Sequence, residues 1–496
     1  MNKSIQKPSA GNSAKKPSAF IRPTIKRGLA IIGTSGLVFG LGITSSTPAV
    51  ANGVIGCTDG VGGNTVTQGV SEAATLDAIE AILLAGDTVC LSGDIVMSET
   101  LYFTKHIKVK GLGEASIETL DSGGVFLSDD TEPGDPRFDI TIETLKVRNA
   151  GSNGNPDPAV FGRDVEIIDS TFEGNSYGAI IGVDVLVESS TFINNSSDEV
   201  SFLEGGAIRA EGTVSVGNST FVDNVAGDGG AIWAYAVGIG NSTFVNNSAD
   251  GDGGAILAYA VLIENSTFVN NSAEAEGGAI YAATGDVYFS TFVNNVAPTP
   301  DDEPADIPGN SIYKLLAEPF ALGGNIFAGN NNSFPQLGTG QAVSDTPFTD
   351  AGGNIFSTSA EPDISGTYAP VFGATLTSLF GTNSPTLATY APNTNGTQTI
   401  ALAPGSPALN AVPDLAPFNL ITLDQRGATR TFPADAGAFE GFVIPTSTPT
   451  STTPAVLAKT GNENLFWSTL ASGTLIVFGT LVAVVVSRIR RRTSNL

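Results

Sequence analysis

Between about residues 158 and 298 the apolar positions fall in short alternating runs, separated by Gly, Asn, Asp and Ser. Gly-Gly-Ala-Ile begins at Gly205, Gly229, Gly253 and Gly277, a spacing of 24 residues each time. Phenylalanines recur along the same stretch with an asparagine three residues later: Phe172/Asn175, Phe192/Asn195, Phe221/Asn224, Phe244/Asn247, Phe268/Asn271 and Phe292/Asn295. Within the runs the period is two, and no heptad or 3.6-residue pattern is present, so strands are expected. Some 24 residues hold three short strands and three turns, one rung of a parallel β-helix. Rungs stack at about 4.8 Å, so equivalent residues form columns. Ile208, Ile232, Ile256 and Ile280 make one interior column, and Ala210, Ala234, Ala258 and Ala282 share its face. The phenylalanines make another, each contributing about 1.5–3 kcal/mol if fully buried. The asparagines are expected to bond one another as an amide ladder at a turn, because a buried amide without a partner costs about 1–3 kcal/mol. The paired glycines permit positive φ at the corner before the next strand.

The flanks extend the same reading. Thr75–Ala85 (TLDAIEAILLA) places Leu76, Ile79 and Leu83 on one helical face, Gly86-Asp87 ends it, and strands follow at Thr88–Leu91, Ile95–Met97 and Ile107–Val109. A helix followed by Gly-Asp-Thr-Val resembles the N-terminal cap of pectin-lyase-like β-helices, which covers the edge of the first rung. The GGAI and FxxN repeats resemble those of the polymorphic outer membrane protein family, and that resemblance implies a β-helical surface fold. After Thr299 the period loosens. Pro298–Pro308 is acidic and proline-rich, and Gly323-Gly324-Asn325-Ile326-Phe327 recurs as Gly352-Gly353-Asn354-Ile355-Phe356. Then come Ala401–Leu409 (ALAPGSPAL), Asp424-Gln425-Arg426-Gly427, Arg430 and Asp435–Glu440 (DAGAFE). This succession resembles the choice-of-anchor Q domain of extracellular β-helices. It departs from that family where Leu409 is followed by Asn410-Ala411 instead of Asp-Ala-Gly. Arg426 and Arg430 near Asp435 and Glu440 read as buried or capping ion pairs. The expected fold is all-β, a right-handed parallel β-helix of about fourteen rungs, roughly 65 Å long, with an N-terminal helix cap.

Both ends of the chain carry envelope addresses. Residues 1–27 hold seven basic residues and no acid, followed by the apolar Gly28–Ile43 and Ala49-Val50-Ala51, the pattern of a cleaved signal peptide. At the other end Leu457-Ala458-Lys459-Thr460-Gly461 precedes an apolar stretch, Leu465–Val486, long enough to span a bilayer, and then Arg488, Arg490, Arg491 and Arg492. The order pentapeptide, span, basic tail resembles the sorting signal read by sortases in Gram-positive bacteria. The resemblance implies cleavage after Thr460 and attachment to peptidoglycan, with the membrane met only through the C-terminal segment before sorting. Residues 1–51 are thus expected to form a signal peptide, 52–110 a cap and first rungs, and 111–298 the regular β-helix. Residues 299–442 follow as an irregular continuation and C-terminal cap, 443–456 as a Pro/Thr-rich wall-spanning linker, and 457–496 as the sorting signal. Of 23 basic residues seven lie in the leader and four in the tail, leaving twelve against 48 of the 49 acids, a net charge of −36 for residues 52–460. Such a surface repels nucleic acid and favours cationic or neutral partners.

Candidate chemistry is sparse. Export permits a disulfide between Cys57 and Cys90, the only two cysteines. The single histidine, His106, has no triad or zinc spacing around it. A polysaccharide lyase or glycoside hydrolase is the enzyme alternative, with Asp129, Asp130, Asp198 and Glu199 as acids. Acids this abundant pair by chance, and the polygalacturonase pattern of Gly-His-Gly with Arg-x-Lys is absent, so no catalytic residue is assigned. If the Ile column faces in, Trp233, Tyr235, Leu257, Tyr259 and Tyr281 face out on one sheet, a candidate surface for a glycan or a host surface protein bound by stacking and apolar contact. Each glycine pair is preceded by an acid, Glu204, Asp228, Asp252 and Glu276. With Asp250 and Glu274 these form a candidate calcium edge, because carboxylates about 4.8 Å apart repel one another. No other cofactor is expected. The function read from these features is a non-catalytic adhesin or interaction rod on the cell wall.

Overall fold

A computed structural model describes Gly53–Val54 and, with short gaps, residues 88–441. The signal segment, the helix expected over 75–85, Cys57, Asp129, Asp130, Asp198, Glu199, the acidic loop 299–308, the linker and the sorting signal lie outside the described residues. Two compact units are distinguished, 1–51 and 52–496, and everything below concerns the second.

Alternation decides the local structure. In Ile208–Gly217, Ile232–Gly240, Ile256–Glu264 and Ile280–Tyr288 successive side chains alternate between interior and surface. These strands pair in parallel with Ile208, Ile232, Ile256 and Ile280 in register, and the alanines two residues on likewise. Ile280–Tyr288 pairs with two separate strands, Ile312–Lys314 through its first half and Phe320–Gly323 through its second, so each long strand is two strips joined at a bend. Thr-Phe-Val segments form a third strip, Phe172 to Phe192, Phe221, Phe244, Phe268 and Phe292 in register. A fourth, unexpected strip of two-residue strands, Val225–Ala226, Ser248–Ala249 and Ser272–Ala273, closes three of the coils as a small sheet of its own. Coils that return to the same strips in parallel are consistent with a parallel β-helix solenoid. Gly53–Val54 is the exception, antiparallel to Leu91 and Ser92.

The interior is built of repeated contacts. Phe172, Phe192, Phe221, Phe244, Phe268 and Phe292 stack with centroids 4.7–5.2 Å apart and ring planes within 9°. Phe327 and Phe356 extend the stack, while Val147 and Ile117 occupy the column in earlier coils. Beside it runs the amide ladder: Asn175, Asn195, Asn224, Asn247 and Asn271 each donate Nδ2 to the Oδ1 of the next, ending at Asn295, over 2.8–3.0 Å. The same Oδ1 accepts the neighbour's backbone N–H, and Nδ2 donates again to a phenylalanine carbonyl, so buried amides are satisfied. A second ladder was not expected. Ser170, Ser190, Ser219, Ser242, Ser266 and Ser290 accept the preceding coil's backbone N–H on Oγ, and each hydroxyl donates to the carbonyl two residues before it. Asn325 and Asn354 of the two Gly-Gly-Asn-Ile-Phe copies belong to this serine column and continue it.

The glycine pair serves two different ends. Gly229, Gly253 and Gly277 have φ of 60–67°, as expected of a left-handed corner. The second glycine answers to space: a Cβ on Gly254 would stand 2.1 Å from the carbonyl oxygen of Gly278. Other corners are turned by asparagine at positive φ, as at Asn241 and Asn246 (51° and 53°), a conformation its short polar side chain tolerates.

Among the described residues the solenoid can be followed through twelve coils. Eleven parallel pairings join twelve strands from Thr88–Met97 to Ile364–Gly366, about 53 Å at the strand spacing. Within the stretch expected as an irregular continuation and C-terminal cap, the last paired strand is Ile364–Gly366. After Gly366, Val371 makes one parallel bridge to Ile355. A five-residue helix follows, Leu376–Phe380, closed at its N-terminus by reciprocal hydrogen bonds of Thr375 and Ser378. Residues 374–441, this helix included, lie along the flank of the coils as a return segment. Their Leu379, Leu402, Val412, Phe418 and Phe439 share an apolar cluster with Val269, Phe289, Val293, Ile326 and Ile355 of the coils. The segment covers the third strip, whose outward Thr243, Thr267 and Thr291 are buried and hydrogen-bonded to it.

Candidate interaction surface

The candidate aromatic residues fall on the first strip, whose outward side chains stack as regularly as the inward ones. Arg209, Trp233, Leu257, Tyr281 and Tyr313 are in register on successive coils. The column runs further back than the 24-residue period showed, through Ile181, Phe161, Leu127 and Tyr102. Nine consecutive coils therefore present one outward column that is apolar or aromatic except at Arg209. Tyr102 is 44% exposed and Tyr313 only 4%, with the residues from Phe161 to Tyr281 half-buried between these limits. The next strip is unlike it: its outward positions include Lys108, Lys110, Glu143 and Glu166, with both lysines 2.7 Å from Glu143. A parallel sheet's outer face does not require apolar side chains, so the stripe is a property of this strip.

Ring orientation corrects the expected mode of contact. Tyr281 and Tyr313 have centroids 5.1 Å apart and planes within 13°, and Tyr235 and Tyr259 are 5.3 Å apart within 4°. Parallel six-membered rings this close overlap face to face, so each ring's face is turned to its neighbour and its edge to solvent. The guanidinium of Arg209 lies 5.4 Å from the Trp233 ring centroid and occupies that face. Stacking on a sugar ring needs a free aromatic face. What the strip offers is ring edges and aliphatic carbons, while the Tyr235 hydroxyl is itself buried. Burial, with the nearby Tyr259 phenol, raises the Tyr235 hydroxyl above the usual tyrosine range.

The acids of the candidate calcium edge line the stripe without converging on a point. Glu204 and Asp228 are bridged in parallel. Asp228 Oδ1 accepts the N–H of Asp252 (2.9 Å), and Asp252 Oδ1 accepts that of Glu276 (3.1 Å). Glu204 Oε2 meets Arg209 Nε at 3.0 Å. Among the described residues no three of His, Cys, Asp and Glu gather in a metal-binding group, and backbone N–H donors meet the stacked carboxylates of Asp228 and Asp252. Burial raises the Asp228 carboxyl, the N–H of Asp252 opposes this, and the charges of Asp252 and Glu204 add to the rise. Asp250 and Glu274 are exposed and join no such group.

The remaining candidates are structural. Cys90 is buried and disulfide-bonded. His106 is exposed, its Nδ1 2.7 Å from Asp139 Oδ2. Arg426 pairs with Asp424 at 2.6 Å and Arg430 with Glu440 at 3.3 Å, all four buried in the return segment. The Asp435 carboxylate accepts the N–H groups of Asn410 and Gly441, both at 2.8 Å, and its carbonyl accepts from Arg430 Nη1 at 3.2 Å. Arg430 also donates to Asn265, and its guanidinium lies 4.0 Å from the Phe289 ring centroid. Its burial, opposed by Glu440, Asp424 and Asp435, brings its pKa down to about 10. A shallow depression at the end of the coils is lined by Gly353, Asn354, Ile355, Val371, Pro407 and Ala411 among others, none of them ionisable. Among the described residues no helix is long and apolar enough to cross a membrane.

No curated protein matches the chain. Residues 218–235, 241–259 and 265–283 each match the Chlamydia polymorphic membrane protein (Chlamydia_PMP) repeat. Each match runs from a corner asparagine through Ser-Thr-Phe to the Tyr or Ala after the first strip, so the repeat is the structural coil itself. The chain therefore carries polymorphic membrane protein repeats, which suggests a surface protein.

Proposed function

We propose that the chain is a cell-wall-anchored surface protein of a Gram-positive bacterium: a right-handed β-helix that acts as a non-catalytic interaction rod. The hand follows from the general preference of parallel crossovers. The wall anchor rests on Leu457-Ala458-Lys459-Thr460-Gly461, the apolar stretch and the four arginines, with sortase and peptidoglycan as the partners of export. The observation that carries the interaction role is the outward apolar column from Tyr102 to Tyr313, kept through nine coils on one strip only. The non-catalytic reading is supported by the use the fold makes of its polar groups: Asp228, Asp252, Arg426 and Arg430 are engaged in packing and in capping backbone N–H groups.

Two measurements test it. Substituting Thr460→Ala should move the protein from the muralytic-enzyme-released wall fraction to the membrane fraction, and an unchanged distribution rejects the anchor. Replacing Trp233 and Tyr259 together by alanine should abolish adhesion of displaying cells to host or bacterial surfaces, and unchanged adhesion rejects the strip as the interaction surface.

A further inference from the structure

We infer that the stripe receives a basic amphipathic helix of a partner polypeptide, laid along the solenoid axis over the four coils of Arg209 to Tyr281. This rests on the interaction reading above and names the occupant of that surface. Three observations converge on it. The first is ring orientation: Trp233, Tyr281 and Tyr235 have faces taken by Arg209, Tyr313 and Tyr259, so the surface suits aliphatic side chains that pack against edges better than flat sugar rings.

The second is charge. A row of carboxylates, Glu204, Asp228, Asp252 and Glu276, stands beside the stripe on the same coils. On the first of these coils the chain itself shows what such a carboxylate binds: Arg209 occupies the stripe position and meets Glu204 at 3.0 Å while covering Trp233. On the next coils Trp233, Leu257 and Tyr281 replace the arginine, leaving an apolar position beside an acid. A partner that brings lysines or arginines on one side of an apolar ridge repeats the arrangement of Glu204 and Arg209 coil after coil. A second copy of this chain, with its large negative net charge, is disfavoured at the same place.

The third is spacing. An α-helix rises about 5.4 Å per turn against about 4.8 Å per coil, so turn and coil stay within half a coil for about four coils. An extended strand, whose same-side residues recur at about 6.7 Å, loses register within two. Four coils correspond to a helix of about 13 residues at about 1.5 Å per residue.

The test is fluorescence anisotropy of the purified full-length chain with a labelled fifteen-residue peptide of lysine and leucine arranged on opposite faces of a helix. Three probes run beside it: the same composition scrambled, the counterpart with glutamate for lysine, and a neutral cello-oligosaccharide. Binding of the amphipathic peptide alone, weakened at least tenfold by raising salt from 50 to 500 mM, is expected from a contact made partly of exposed charges. Asp228→Asn with Asp252→Asn, which keeps a side-chain oxygen to accept the backbone N–H groups, should cost at least tenfold, and Trp233→Ala with Leu257→Ala likewise. Equal binding of the scrambled or acidic peptide, or indifference to both double variants, overturns the proposal. Binding of the oligosaccharide that depends on Trp233 and Leu257, without peptide binding, overturns the occupant and leaves the strip an interaction surface. If Trp233→Ala with Leu257→Ala also leaves cell adhesion unchanged, the broader reading fails as well.

Discussion

The coils around residues 208–293 and the return segment 374–441 bury apolar side chains equally well, yet they are held by opposite means. In the coils one contact is made many times. Phe244 meets two phenylalanines, Asn247 meets two asparagines, and Ser242 meets two serines, each from the coil above and the coil below. In the return segment contacts are not repeated, and those that fasten it to the coils join residues far apart in the chain. Gln425 alone accepts from Thr267 Oγ1 and donates to Thr243 Oγ1, the Ser242 carbonyl and the Gln398 carbonyl. Repetition spreads a defect over neighbours. A set of unique contacts concentrates it, so the two regions should fail differently.

The largest contrast should come from Phe268→Ala, which removes one ring from the middle of the stack and leaves a cavity. A loss of about 3–5 kcal/mol is expected, read as a lower denaturant midpoint by far-UV circular dichroism with both regions unfolding together. Gln425→Ala should cost about 1–3 kcal/mol by orphaning buried threonine hydroxyls. Here the expected signature is local: proteolysis within 374–441 while the dichroism of the coils persists. Loss of both at once contradicts the distinction. Asn247→Ala belongs between these in kind, costing about 1–3 kcal/mol, and hydrogen exchange should rise at Asn224 and Asn271 as well as at the mutated coil.

The smallest effect is that of pH. Burial, with Asp286 adding like charge, pushes the Glu264 carboxyl up to about 7, and Tyr288, packed against Phe418 of the return segment, is shifted upward by burial and the same two acids. A carboxyl whose pKa is raised on folding takes up a proton there, so its folded form is favoured at low pH, and that advantage is lost as pH rises from about 4.5 through 7. The return segment should resist protease better at pH 5 than at pH 7.5, and Glu264→Gln should flatten much of the difference. Greater resistance at the higher pH, in the parent chain, contradicts the assignment.

The same contrast explains what could be read from the residues. The Ile and Ala columns were legible because the chain repeats them at 24, the Phe and Asn columns because they recur as a fixed pair three residues apart, and the stacking they implied is present. The serine ladder was equally visible, one residue before each Thr-Phe, but a serine at a turn carries no signal until its acceptor is known. The stripe was read only from Trp233 to Tyr281. Its members Tyr102, Leu127, Phe161 and Ile181 lie in coils of other lengths, so a fixed period misses them, and ring orientation cannot be read from spacing at all. The acid row was legible as a row, but whether it held metal or backbone N–H groups depended on distances. The path of the return segment was hidden for a plainer reason: the partners of Gln425 and Arg430 lie more than 150 residues away.

One further property follows from the second ladder, where Asn325 and Asn354 take over from serine without disturbing the coils on either side. Because the slot accepts either residue and each coil presents its neighbours with the same surface above and below, whole coils are interchangeable parts. A gene can gain or lose them by slippage, and the reach of the protein then changes in increments of about 4.8 Å. The length of this molecule is a copy number.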